Sequence, residues 1–276
     1  MTFNDDVLLL DVGGTCIKNN RGKETPVDSG GSEDVIRNAL ISSMGNLSGI
    51  PAVGVAISGP FDYKNGIFLM KHKFASVYGR SFRELAKIPD ETNLRFIHDV
   101  NCMLLGEIHY GAAKEFENVV LVSLGTGLGV ATAFGKEILH SPTGTPLFSF
   151  YNKPFNEGVL EDYVSKRGFM RIYKNLTGKG VDSVKAIADK ANEEDGLAIS
   201  TFEMVAHILC EAIHDFLIDK KIECLLFGGQ ISKSFSLMEE TVNACLGDIP
   251  YLKMISPVSD ISNATFNGLR WFLKND

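Results

Sequence analysis

The chain has 276 residues, 45% of them hydrophobic, which accommodates two domains of ordinary size with proper cores and is the composition of a soluble globular protein. Its 34 acidic against 27 basic residues, a net charge of −7, argue against nucleic-acid binding, which rests on clustered Lys and Arg. A nucleotide is not excluded, because backbone amides and Mg²⁺ can hold one on an acidic protein.

Strand-like and helix-like periods alternate along the chain, which predicts an α/β fold. Residues 7–11 begin a first sheet, with neighbouring strands at 16–19 and 24–27. Residues 33–47 place Ile36, Ala39, Leu40, Ser43, Met44 and Leu47 on one face, an amphipathic helix behind an N-cap at Ser32. Strands follow at 52–58 and 94–99, then a helix at 101–110, closing a first domain over residues 1–115. The second domain, 116–262, opens with strands at 119–124 and 129–134. It continues through helices near 159–176, 183–192 and the long apolar 197–218, then a strand at 223–227 and a helix near 234–246. A last helix within 263–276 is expected to pack back on the first domain.

The start MTFNDD lacks the basic and apolar segments of a signal peptide, and no apolar run approaches the roughly 18 residues of a spanning helix. A cytoplasmic protein with no membrane partner is expected. Cys16, Cys102, Cys210, Cys224 and Cys245 are scattered without a CxxC pair, as reduced core thiols are, so neither a disulfide nor a zinc site is expected.

Two glycine-rich turns follow apolar strands. In VLLLDVGGTCIK, Gly13 and Gly14 can take positive φ and expose backbone N–H groups to a phosphate. Thr15 and Lys18 add a hydroxyl and a cation, and Asp11 at the strand end is placed to hold a water of a hydrated Mg²⁺ ion. In NVVLVSLGTGLGVATAF the recipe recurs with Gly125, Thr126, Gly127 and Gly129 and no carboxylate, which points to phosphate contact. Both segments also fit β-hairpins, since a short Gly turn between apolar runs is a hairpin signal. They align at a constant offset of 113 residues, with Leu8/Leu121, Gly14/Gly127, Gly22/Gly135, Lys23/Lys136 and Glu24/Glu137 identical, as a duplicated fold would.

Asp99, in RFIHD before a helix, lies where ligands of open α/β sheets gather, outside the carboxyl ends of strands. There it can accept the proton of a hydroxyl attacking a γ-phosphate; as a helix N-cap it would satisfy free amides instead. Gly228 and Gly229 in CLLFGGQIS suit either a close approach to adenosine or a plain strand-to-helix turn.

The ordered series DVGGTCIK, VGVAISGPFD followed by Gly66, HDVNCMLLGE, LVSLGTGLGVA, GVLEDYVS and LLFGGQIS resembles the ROK family of sugar kinases and repressors, of the actin-like ATPase superfamily, over nearly the whole chain. The resemblance implies two actin-like (ribonuclease H-like) α/β domains flanking a nucleotide and sugar cleft. It makes residues 11–15 and 125–129 phosphate segments, Gly228-Gly229 the adenosine segment, Asp99 the base, and Gly59, His98 and Glu161 sugar-side residues. It implies ATP and Mg²⁺ as cofactors and a small sugar as partner, and it leaves a homodimer open as the assembly. The family's repressors carry a helix-turn-helix before the first strand, for which the six residues ahead of Val7 leave no room, so the kinase branch is expected.

The departures fall on the sugar side. His98-Asp99 replaces Asn-Asp, and residues 144–148 read GTPLF where the family has Gly-Glu-Ile-Gly-His. The cysteine-rich zinc motif is absent between Tyr151 and Gly158, and an asparagine expected after Gly66 falls in Lys71-His72-Lys73. Losing a polar partner changes which sugar is accepted, and the lysines are either charge for an anionic acceptor or a solvated loop. The expected activity is ATP-dependent phosphorylation of a hexose or related sugar, glucokinase-like with an altered acceptor. The alternatives are a sugar- or nucleotide-binding regulator with weak turnover and another actin-like ATPase.

Overall fold

The protein is described by a computed structural model covering residues 7–275. The chain divides into two compact units. Unit 1 comprises Met1–Gly111, His140–Leu147 and Ser262–Asp276, and unit 2 comprises Ala112–Leu139 and Phe148–Ile261. The segment His140–Leu147, which lies within the expected second domain, thus belongs to unit 1.

Unit 1 begins with an antiparallel meander of β1 (Leu8–Val12), β2 (Cys16–Asn19) and β3 (Glu24–Pro26), followed by α1 (Glu33–Met44) and β4 (Ala52–Ile57). A small hairpin of β5 (Phe61–Asp62) and β6 (Ile67–Phe68), the short α2 (Phe82–Ala86), β7 (Asn93–His98) and α3 (Asp99–Tyr110) complete the run. The sheet order is β3-β2-β1-β4-β7, with β1, β4 and β7 parallel. Parallel strands are covered on both faces, which explains the uninterrupted apolar Val7–Leu10. Leu8, Leu10 and Val12 pack with Ile36 and Leu40 of α1 on one face, and Val7 and Leu9 join another cluster on the opposite face. Ser32 caps α1 as expected, its Oγ accepting the Val35 N–H at 3.5 Å.

Unit 2 repeats the plan. The meander is β8 (Val119–Leu124), β9 (Leu128–Phe134) and β10 (Glu137–Ile138). A hairpin of β11 (Pro154–Phe155) and β12 (Gly158–Val159) leads to α4 (Glu161–Val164), α5 (Lys166–Thr177), α6 (Val184–Asn192) and α7 (Gly196–Asp219). After β13 (Cys224–Gly228) come a 3₁₀ segment (Gln230–Leu237), α8 (Glu239–Leu246) and β14 (Met254–Pro257), and the sheet order is β10-β9-β8-β13-β14. The two orders are the same plan, and the 113-residue offset superimposes the three meander strands β1–β3 on β8–β10. The paired glycines Gly22 and Gly135 both have positive φ, +79° and +57°, in the turns between second and third strands.

Three expectations on unit 2 are corrected. The single helix expected at 159–176 is two, broken at Ser165, whose backbone is extended, while the Lys166 N–H donates to Gly125 O at 2.8 Å. The helix expected from 234 starts as a 3₁₀ segment with a kink at Ser234, and α8 begins at Glu239. Finally, α7 is long and apolar enough to cross a membrane by length and composition. Its Phe202, Val205, Leu209, Ile213 and Leu217 recur at three- and four-residue spacing and are buried in the unit 2 core, which accounts for the apolar stripe without a bilayer.

The last helix, α9 (Ala264–Asn275), belongs to unit 1 and packs against α3. It follows the fifth strand of unit 2 as α3 follows the fifth strand of unit 1. Two glycines make the crossing close: a Cβ on Gly106 would lie 2.1 Å from Ala264 O, and one on Gly268 would lie 1.8 Å from Cys102 O. Helices can approach this closely only where no side chain intervenes. Gly268→Ala is therefore expected to lower stability by about 3 kcal/mol through overpacking, read as a lower urea midpoint at unchanged m-value.

Candidate active site

Both glycine turns are hairpins: β1 pairs antiparallel with β2, and β8 with β9. Hairpin geometry leaves amides unused here because each turn spends only part of its backbone on itself. In unit 1 the Gly13 N–H donates to Cys16 O at 3.0 Å, and in unit 2 the Gly125 N–H donates to Gly127 O at 3.1 Å. Among the described residues, the next two amides of each turn, Gly14 and Thr15 or Thr126 and Gly127, donate to no protein acceptor. Consecutive free amides of this kind form an anion-binding concavity.

The reason for the glycines differs from the expected one. None of Gly13, Gly14, Gly125, Gly127 and Gly129 has positive φ. Close approach excludes a side chain instead: a Cβ on Gly13 would meet Cys16 O at 2.9 Å, and one on Gly127 would meet Glu161 Oε2 at 2.6 Å.

In unit 1, Asp11 is the penultimate residue of β1, half-buried and in register with Lys18 on β2 and Ala56 on β4. Burial first, and the negative charge of Asp99 second, push its carboxyl up to about 7 against the pull of Lys18. Lys18, the cation expected on the phosphate, pairs with Glu24 across the meander at 3.2 Å, so its charge is already partly spent. The lysine that lies on the turn is Lys73. Its stem runs past Gly14, where a Cβ would sit 3.5 Å from Lys73 Cδ, and its Nζ is 3.4 Å from Ser58 Oγ.

Strand β7 stops at His98, one residue earlier than expected, and Asp99 opens α3. His98 is the N-cap, its Nδ1 accepting the Val100 N–H at 3.4 Å, while Asp99 Oδ1 accepts the same N–H at 2.8 Å and lies 3.1 Å from His98 Nδ1. Asp99 thus serves the helix terminus, yet a third of its side chain is exposed, at 33%. Burial holds the His98 imidazole below the usual histidine range; Asp99 opposes this and Lys73 reinforces it.

Of the residues around His98, Tyr63 carries no sequence signal of its own. Tyr63 donates its hydroxyl to Ile57 O at 3.0 Å, and its ring lies 6.0 Å from that of His98. A Cβ on Gly59 would come within 3.1 Å of Thr145 Cγ2 and 3.2 Å of the Tyr63 hydroxyl, so a larger residue there would have to push one of them aside. Gly144, at φ +84°, presses on the Tyr63 ring, and its carbonyl accepts from Asn101 Nδ2 at 3.4 Å. The altered GTPLF stretch therefore closes on Gly59 and Tyr63 through Gly144 and Thr145. Phe148, where the resemblance expects histidine, packs instead on Phe216 of unit 2, with ring centroids 5.0 Å apart.

In unit 2, Glu161 lies beneath the glycine turn. Its Oε2 accepts the Leu128 N–H at 2.9 Å, and its Oε1 pairs with Arg167, which also holds Asp162 at 2.7 Å. The third glycine segment joins the same place: Gly229, at φ +82°, lies so near β8 that a Cβ would be 2.3 Å from Leu124 O. Gly228 faces Ser123 in the parallel β8–β13 register. Among the described residues no three His, Cys, Asp or Glu side chains cluster as metal ligands would.

The sequence profile of the ROK family matches residues 14–148 and 152–268. The chain belongs to the ROK family. A ROK family glucokinase from Streptomyces griseus, solved with glucose and AMPPNP, has the same fold, with a TM-score of 0.79 over 96% of this chain and 98% of that one at 18% identity. A ROK family transcriptional regulator shares the fold with a TM-score of 0.75, this chain covering 76% of it. Among sequence relatives, a glucokinase from Thermotoga maritima is 26% identical over 242 residues, 78% of this chain and 75% of that one. An N-acetyl-D-glucosamine kinase from Aliivibrio fischeri is 28% identical over 161 residues, about half of each chain.

Proposed function

We propose that this ROK protein transfers the γ-phosphoryl group of ATP to a hydroxyl of a hexose or related sugar. The observation that carries the reading is in unit 1: a partly exposed carboxylate at the start of α3 acts on Asp11, at the end of the strand that leads into a turn with unused amides. Bound ATP would supply the electrophilic phosphorus, and Mg²⁺ would neutralise its oxygens. The donor chemistry fits such an ion. Asp11 is a hard oxygen ligand whose ionised form Lys18 only partly compensates, and Mg²⁺ takes one or two carboxylates while keeping several waters.

In this reading Asp99 takes the hydroxyl proton as the oxygen attacks. His98 presents its Nε2 to a sugar hydroxyl and so orients the acceptor. The amides of Gly14 and Thr15 and those of Thr126 and Gly127 are the phosphate donors. Glu161, anchored by Leu128 and Arg167, reaches a sugar hydroxyl with its remaining lone pairs, and Gly228-Gly229 admits the adenosine by lacking side chains. Lys18 contributes only a background field, because Glu24 holds it.

Coupled detection of ADP, with and without a panel of sugars, tests the reading. ADP release stimulated at least tenfold by one sugar is expected, since excluding water until an acceptor binds limits hydrolysis. Sugar-independent hydrolysis would identify an ATPase of another kind. Binding of sugar or nucleotide without any ADP would identify a regulator, a reading that the altered GTPLF segment favours over the ATPase.

A further inference from the structure

We propose that Lys73 makes the acceptor site of unit 1 selective for an anionic monosaccharide, one carrying a carboxylate or a phosphate in addition to the hydroxyl that is phosphorylated. The inference rests on the kinase reading for the reaction, but the recognition it describes can be measured without turnover.

The three consecutive basic residues have different surroundings. Lys71 and His72 are exposed, and Lys71 lies over the Tyr78 ring at 5.4 Å. Lys73 is half-buried, its stem against Gly14 and its ammonium 3.4 Å from Ser58 Oγ. Its direction matters. The stem crosses the glycine turn, while the charged head reaches the end of the β4 segment that carries Ser58 and Gly59, beside His98.

Among the described residues Lys73 forms no ion pair, in contrast to Lys18 with Glu24, Lys136 with Glu117, Lys185 with Asp189 and Lys253 with Glu223. A partly desolvated ammonium with one long hydroxyl contact is under-compensated, and three N–H donors need acceptors. The groups that could answer it are few. His98 is held neutral and offers no negative charge. Asp99 Oδ1 is engaged by the Val100 amide, and among the described residues neither Asp99 nor Asp11 lies within ion-pair distance of Lys73. An acceptor bearing its own negative group would complete the site. A neutral hexose would leave the ammonium unpaired, and a site with unpaired polar groups discriminates strongly.

The test is isothermal titration of the full chain with three arms: glucose as neutral hexose, glucuronate as carboxylate, and glucose 1-phosphate as phosphate. Each arm is run on the wild type, Lys73→Met and Lys73→Asn. One anionic arm should bind on the order of 10- to 100-fold more tightly than glucose, as a charge-assisted contact allows. Lys73→Met should erase that preference without lowering the melting temperature, and Lys73→Asn should shift affinity toward glucose. Which anionic arm binds distinguishes carboxylate from phosphate. Equal affinities in the wild type, a preference that survives Lys73→Met, or no binding in any arm would each overturn the inference. Parallel ADP assays separate the two ideas. Lys73-dependent anionic binding without ADP counts against the kinase reading alone, and turnover of glucose with no anionic preference counts against this inference alone.

Discussion

Asp99→Asn is expected to bind nucleotide normally and to lose sugar-dependent turnover by at least the order of 10², the usual contribution of a positioned general base. The substitution is nearly isosteric, and the amide oxygen can still accept the Val100 N–H that Asp99 Oδ1 accepts at 2.8 Å. The cap of α3 therefore survives, and a loss of rate cannot be assigned to unfolding of the helix. What disappears is the lone acceptor able to carry a proton away from the attacking hydroxyl. The variant has a second, independent signature. Asp99's charge is one of the two causes that raise the Asp11 carboxyl, so its removal should let Asp11 ionise at lower pH. Nucleotide binding by a calorimetric titration and turnover by ADP release would be compared at pH 7.5. Turnover within a few-fold of wild type would remove Asp99 from the role of base and leave it a helix-terminus residue.

Asp11→Asn, in the metal-free chain, is expected to raise stability at pH 8 and to flatten its pH dependence. The sign follows from proton linkage. The folded chain holds a proton on Asp11 up to about pH 7, whereas the unfolded carboxyl releases it near 3.8. Between those values the folded state binds more protons, so stability falls as pH rises through the window and stays at its lowered value above it. Three pK units correspond to at most about 4 kcal/mol, and the partial exposure of Asp11 reduces that figure. Urea unfolding at pH 4.5, 6 and 8 would show the slope in the wild type and its loss in the variant. An unchanged slope would mean that Asp11 is not the strained charge of unit 1. A carboxylate kept where it destabilises the fold is what a cation site demands, and functional sites commonly carry such shifted groups.

The duplicated plan was legible because it is written locally. Strand periodicity, a Gly turn and a positive-φ glycine at matching offsets specify a meander before any tertiary contact forms, and both sheets carry it in the same order. The position of Asp99 was legible for the same reason, since a strand end followed by a helix start is a local feature. Other residues could not be read this way. Lys18 looked like a phosphate cation until β3 placed Glu24 opposite it. The chain near Ser165 looked like one helix until Gly125 O drew off the Lys166 amide. Gly106 and Gly268 looked like ordinary helix residues, and only the α3–α9 crossing shows what a methyl group there would strike.

Sequence alone thus determined the α/β class, the two glycine turns with their free amides, and the acid at position 99, because short-range backbone rules and burial patterns set those. Tertiary structure alone decided which lysine lies along the first glycine turn, why Gly106 and Gly268 leave no room for a side chain, and that residues 140–147 close on Gly59 and Tyr63 of unit 1. Those features depend on distances between segments far apart in the chain, and no local pattern encodes a distance across a fold.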